Sequence, residues 1–94
     1  MLYVDTREMR IAASNMKKAM EERRIKEFVQ IGRALEQYWR GDKNSARFQS
    51  ALSSVNENTS AEELTNLTAY IEKVAATYEQ LDAQMANRMR SLFG

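Results

Sequence analysis

Residues 64–85 read LTNLTAYIEKVAATYEQLDAQM, and within them Leu64, Leu67, Ile71, Val74, Tyr78, Leu81 and Met85 step by three and four without error. That spacing places all seven on one face of an α-helix, with Leu92 in the same phase, and predicts a seam of coiled-coil grade. Immediately upstream, Ser60-Ala61-Glu62-Glu63 is a capping box that starts this helix. The weak helix formers Asn56-Glu57-Asn58-Thr59 before it predict a kink or short break at 56–60. Further back, Ala46, Phe48, Leu52 and Val55 share one face, so a second helix is expected over about 45–92.

The first half of the chain reads as another helix. Asp5-Thr6-Arg7-Glu8 pairs an N-cap carboxylate with Glu three residues on. Met9, Ala13, Met16, Met20, Phe28, Ile31, Leu35 and Tyr38 then continue an apolar stripe with no Pro and a single Gly32, which predicts one helix over about 5–38. The stripe thins at Arg23, Arg24, Lys26 and Glu27, so its middle is the weakest part of the expected core. Between the helices, a turn is expected at 39–44. Gly41 in Trp39-Arg40-Gly41-Asp42-Lys43-Asn44-Ser45 can take a left-handed stop conformation, and Asp42 or Asn44 can cap the second helix. The reading is all-α: one domain over 1–94, a helix-turn-helix hairpin of two long antiparallel helices.

Composition narrows the chemistry. The 94 residues carry no Pro, no Cys and no His, which removes disulfides, thiolate nucleophiles, the usual general base and the commonest transition-metal ligands. Fourteen Lys and Arg against thirteen Asp and Glu leave a net charge of +1, too small for a one-sided field directed at nucleic acid. Lys17, Lys18, Arg23 and Arg24 are interleaved with Glu21 and Glu22 as a self-paired solvated face. Glu62 and Glu63 are explained by the helix start they occupy. No paired acid and base, metal site or cofactor site emerges, and no apolar run is long enough to span a bilayer. The opening residues lack the features of a cleaved signal peptide.

A helix over 5–38 rises about 50 Å, whereas a compact domain of this length has a radius of gyration near 13 Å, so the fold must be elongated. Two antiparallel helices cover only part of each other's apolar stripe, and a second hairpin would cover the rest. The expectation is a dimer forming an elongated four-helix bundle. Its seam would hold Met9, Met16, Met20, Phe28, Ile31, Leu35, Phe48, Leu52, Leu64, Leu67, Ile71, Val74, Leu81 and Met85.

Two motifs remain. Trp39 and Gly41 stand at the centre of the chain, where Trp can plug the bundle end while Gly makes the bend, and Tyr78 and Asp82 are i and i+4 on the last helix. The chain length, the two-helix plan, the central Trp-x-Gly and the later Tyr-x-x-x-Asp together resemble the WXG-100 family, early-secreted-antigen-like small proteins of the type VII secretion system. The Val4-Asp5-Thr6-Arg7-Glu8-Met9-Arg10 opening and the terminal Leu92-Phe93-Gly94 are similar to the family as well.

That resemblance implies a non-enzymatic protein made in the cytoplasm of a Gram-positive or related bacterium and exported folded, without a cleaved signal peptide. It would act as a virulence-type effector or co-secreted partner. Its partners would be a second copy or a related WXG chain, and a secretion ATPase that reads Tyr78 and Asp82. The competing expectation is a cytosolic structural or adaptor bundle. Arg40-Gly41-Asp42 also spells an adhesion tripeptide, but Gly41 has a sufficient backbone reason to be there.

Overall fold

A computed structural model describes residues 2–93; Met1 and the Gly94 of the terminal tripeptide lie outside them. The fold is all-α apart from one minimal ribbon: β1 (Tyr3–Val4), α1 (Thr6–Glu21), α2 (Ile25–Ala34), a 3-10 turn (Leu35–Gln37), β2 (Trp39–Arg40), α3 (Lys43–Leu52) and α4 (Ala61–Phe93). Local signals account for most of the boundaries. Asp5 caps α1 by accepting the Glu8 amide at 3.1 Å, and Ser60 Oγ accepts the Glu63 amide at 3.2 Å where α4 begins. Asn56 folds the preceding loop, its side chain accepting the Asn58 amide at 2.7 Å while its own amide donates to Thr59 Oγ1 at 2.9 Å. The break between α3 and α4 therefore runs over 53–60, wider than the kink expected at 56–60.

The single helix expected over 5–38 is corrected: the chain stops at Glu21, turns through 22–24 and comes back as α2. The cause is a complete C-terminal cap. Arg23 adopts φ +56°, its amide donates to the Met20 carbonyl at 3.0 Å, and the Arg24 amide donates to the Ala19 carbonyl at 2.8 Å. These are the two bonds of a Schellman motif, with Arg in the left-handed position that Gly usually fills.

Each further segment also reverses. The main-chain bond from Asp5 to the Tyr38 carbonyl, at 2.7 Å, and the Val4–Trp39 ribbon pairing bring the far end of α2 beside the start of α1. Gly32 of α2 faces α3, where a Cβ would come within 2.6 Å of Leu52 Cδ2, and its carbonyl accepts Gln49 Nε2 at 2.9 Å. Arg10 with Glu79, Lys17 with Glu72, and Thr65 with Met20 set α1 antiparallel to α4. One chain thus supplies four helices running up and down in turn.

Most of the expected dimer seam is therefore spoken for within one molecule. Met9, Met16, Phe28, Leu35, Phe48, Leu52, Leu64, Ile71 and Val74 are buried in the chain's own core, and Met20, Ile31 and Leu67 pack partly buried against it. The reversals at 22–24 and 53–60 let the chain's own helices cover the stripes that two long helices would have left open. Leu81 and Met85 alone of that set stay exposed, at 50% and 60%. They belong to the outer half of α4, whose 33 residues rise about 50 Å and account for a particle 54 Å long and only 25 by 18 Å across.

Candidate functional site

At one end of the bundle, the ribbon, the corner after β2 and the middle of α4 converge on Asp42. Gly41 precedes it with φ +90°, a conformation that L side chains rarely adopt, and so turns the chain out of β2. Asp42 is then the N-cap of α3: its Oδ1 accepts the Ser45 amide at 2.6 Å, and Ser45 Oγ donates to the Asp42 carbonyl at 3.0 Å. Its Oδ2 accepts Trp39 Nε1 at 3.3 Å and also the Tyr78 hydroxyl from α4. One carboxylate thus fastens a turn, a helix start and a third helix.

Trp39 is 1% exposed, its ring centroid 5.5 Å from that of Phe48 and 6.3 Å from that of Tyr70. The ring is thus packed inside the end of the bundle. Tyr70 extends the same joint, donating its hydroxyl to Asn44 Oδ1 at 2.8 Å. Tyr70 and Tyr78, two turns apart on α4, therefore engage Asn44 and Asp42 at the start of α3. On the outer side, the Arg40 guanidinium lies 5.3 Å from the Tyr3 ring centroid and ties the ribbon down.

The electrostatics arise from these contacts. Burial pushes the Asp42 carboxyl up, but hydrogen bonds from Tyr78, from the Ser45 amide and hydroxyl and from Trp39 outweigh it and hold the group below its ordinary value. Tyr78 is pushed up to about 12, first by donating to Asp42, then by burial and by the Asp42 charge. Beside this joint, the Arg10 guanidinium donates to both Glu79 oxygens, Nε at 3.2 and 3.0 Å and Nη2 at 2.6 Å to Oε1. The pairing raises Arg10 and lowers Glu79, so each favours the other's charged form.

The two sequence motifs meet here only in part. Trp39, Gly41 and Tyr78 belong to one joint, whereas Asp82 is exposed one turn further along α4 and takes no part in it. Tyr78 pairs with Asp42 across the fold in place of Asp82 along the helix. The adhesion tripeptide loses its acid for the same reason, because the Asp42 carboxylate is already engaged by three donors. Asp42 was visible in the sequence only as a cap, and Tyr70 lies off the α4 seam. Its spacing of eight from Tyr78, which puts both phenols on one face, was the available sign.

Chemically, the arrangement is a clasp. Its carboxylate is engaged by three donors, and no group of three or more His, Cys, Asp or Glu placed to hold a metal ion occurs among the described residues. No described helix is long and apolar enough to cross a membrane. Compared with known proteins, the chain matches no family model, no curated protein and no solved structure.

Proposed function

We propose that this is a small non-enzymatic protein of the WXG-100 type, exported folded by a type VII secretion system as an effector or co-secreted partner. One observation supports the reading above the others. The Trp39–Gly41 turn and Tyr78, far apart in sequence, come together through Asp42. On this reading the clasp fixes the base of the outer half of α4, and Asp82 is presented on the exposed turn that follows it to the secretion ATPase. Tyr78 then acts by holding the helix in place, and Asp82 makes the contact.

The test is export of Asp82→Ala from a Gram-positive host with a working type VII system. An exposed carboxylate should change stability by under about 0.5 kcal/mol, so a folded variant retained in the cell supports the proposal. Wild-type amounts in the culture supernatant refute it. A second reading, a cytosolic adaptor bundle, is favoured by the exposed apolar stripe Leu81, Met85, Met89 and Leu92, which suits a partner surface wherever the protein resides. Wild-type protein confined to the cytoplasm of such a host would favour the adaptor.

A further inference from the structure

Between α3 and α4 lies an apolar recess of about 530 Å³, within the size range of small-molecule sites. Phe48, Ala51 and Val55 line it from the α3 side, and Leu67 and Tyr70 from α4. Both ends are bounded. At one, the 53–60 loop brings Ser54 and Thr59 to the wall; at the other, the Tyr70 hydroxyl donates to Asn44 and bridges α4 to α3. The distance along α4 from Glu63 to Tyr70 is about 10 Å. An α-helix laid lengthwise in the recess would have to run past both ends, whereas a short flexible chain fits between them.

Two side chains of opposite charge border the recess, Arg47 on α3 toward the Tyr70 end and Glu63 on α4 toward the loop. Neither has an ion-pair partner among the described residues. Their surroundings differ. Glu63 stands in the first turn of α4, where the positive end of the helix favours a carboxylate. Arg47 has no such compensation: α3 carries no acidic residue, and Lys43 one turn earlier adds charge of the same sign. Asp42, the acid at the start of α3, is already engaged by Trp39, Ser45 and Tyr78. The uncompensated charge of the recess is therefore positive and sits at one end of an apolar trough.

We propose that this recess binds a free medium-chain fatty acid, with the carboxylate on the Arg47 guanidinium and the tail lying over Phe48, Ala51 and Leu67 toward Val55. The guanidinium fork matches a carboxylate, and the apolar walls shelter the chain from water. Glu63 sets the polarity of the ligand, because a dicarboxylate would place its second charge beside that residue. A cationic head of the same length would meet Arg47, or would have to reverse onto a carboxylate that the helix end already satisfies.

The recess does not include Asp82, so its occupancy is tested on purified full-length protein and independently of export. Calorimetric titration with decanoate, below its micellar concentration, should show saturable one-to-one binding with a Kd below about 1 mM. Decylammonium should bind at least tenfold more weakly. Arg47→Gln, which removes the head contact, and Ala51→Phe, which fills the trough, should each weaken decanoate binding at least tenfold with helical circular dichroism retained. Met85→Gln, on the exposed outer stripe of α4, should leave it unchanged. Binding that does not saturate below about 1 mM, equal binding of decylammonium, or indifference to Arg47→Gln or Ala51→Phe overturns the proposal. So does a loss on Met85→Gln as large as that on Ala51→Phe, since the chain would then lie on the outer stripe.

Discussion

Replacing Tyr78 by Phe removes one hydroxyl from the clasp and leaves the ring in place. The lost bond runs from a partly buried phenol to a charged acceptor, a class worth about 1.5–3 kcal/mol. Asp42 keeps its bonds from Ser45 and Trp39, which points to the lower end, about 1.5 kcal/mol, or a melting point lower by roughly 6–12 °C for a domain of this size. Asp42→Ala removes more. It deletes the α3 cap, about 1 kcal/mol, and strands the buried indole N–H and the phenol, each able to cost about 1–3 kcal/mol; a total near 3 kcal/mol is expected. Because the two residues share a bond, the double variant should fall short of additivity by about 1 kcal/mol. Urea unfolding followed by circular dichroism measures all four corners of the cycle. A Tyr78→Phe protein within about 0.3 kcal/mol of wild type, or strictly additive costs, would refute the clasp.

The same bond sets a pH dependence. With the folded pKa of Tyr78 near 12 against an ordinary value of 10, its contribution is complete below about pH 10 and lost as pH rises toward 12, so Tyr78→Phe should flatten that part of a stability profile. Asp42 acts in the opposite sense, stabilising above the ordinary carboxylate range and ceasing to do so as pH falls through its lowered pKa. Arg23→Gly should raise stability by about 0.5–1 kcal/mol in thermal unfolding, since it relieves a left-handed Arg at φ +56°. Gly41→Val should cost at least about 1 kcal/mol in the same assay by imposing a branched side chain at φ +90°, with no dependence on any partner.

Signals confined to a few residues translated well into structure. Asp5, Ser60 and Gly41 act within one turn of themselves, and the α4 stripe needs only the helical repeat, so none of them depends on the rest of the fold. The reversal at 22–24 is different. Its left-handed residue is Arg, the Schellman bonds are main-chain bonds that any residue can make, and the thinning of the stripe is the only trace left in the sequence. Without that one turn the first helix doubles in length, and the covering of the core passes from α2 and α3 to a second chain. Asp42 shows the same division in the candidate site. Its cap lies three residues away and is written locally, whereas its bond to Tyr78 spans 36 residues and exists only once four helices have packed.

The two halves of α4 share one hydrogen-bonded ladder but differ in what holds it. From Leu64 to Tyr78 the helix is backed by α1, α3 and the clasp, so its amides should exchange with solvent deuterium only on global unfolding. Beyond Asp82 every side chain through Leu92 is solvated. A segment of this length has little helical stability in isolation, so protection should decline steeply along a single unbroken helix, most rapidly in the turn after Tyr78. A partner seated on the stripe would erase that gradient. Residue-resolved exchange would therefore reveal, even for a partner of unknown identity, whether and at what protein concentration the outer half of α4 is occupied.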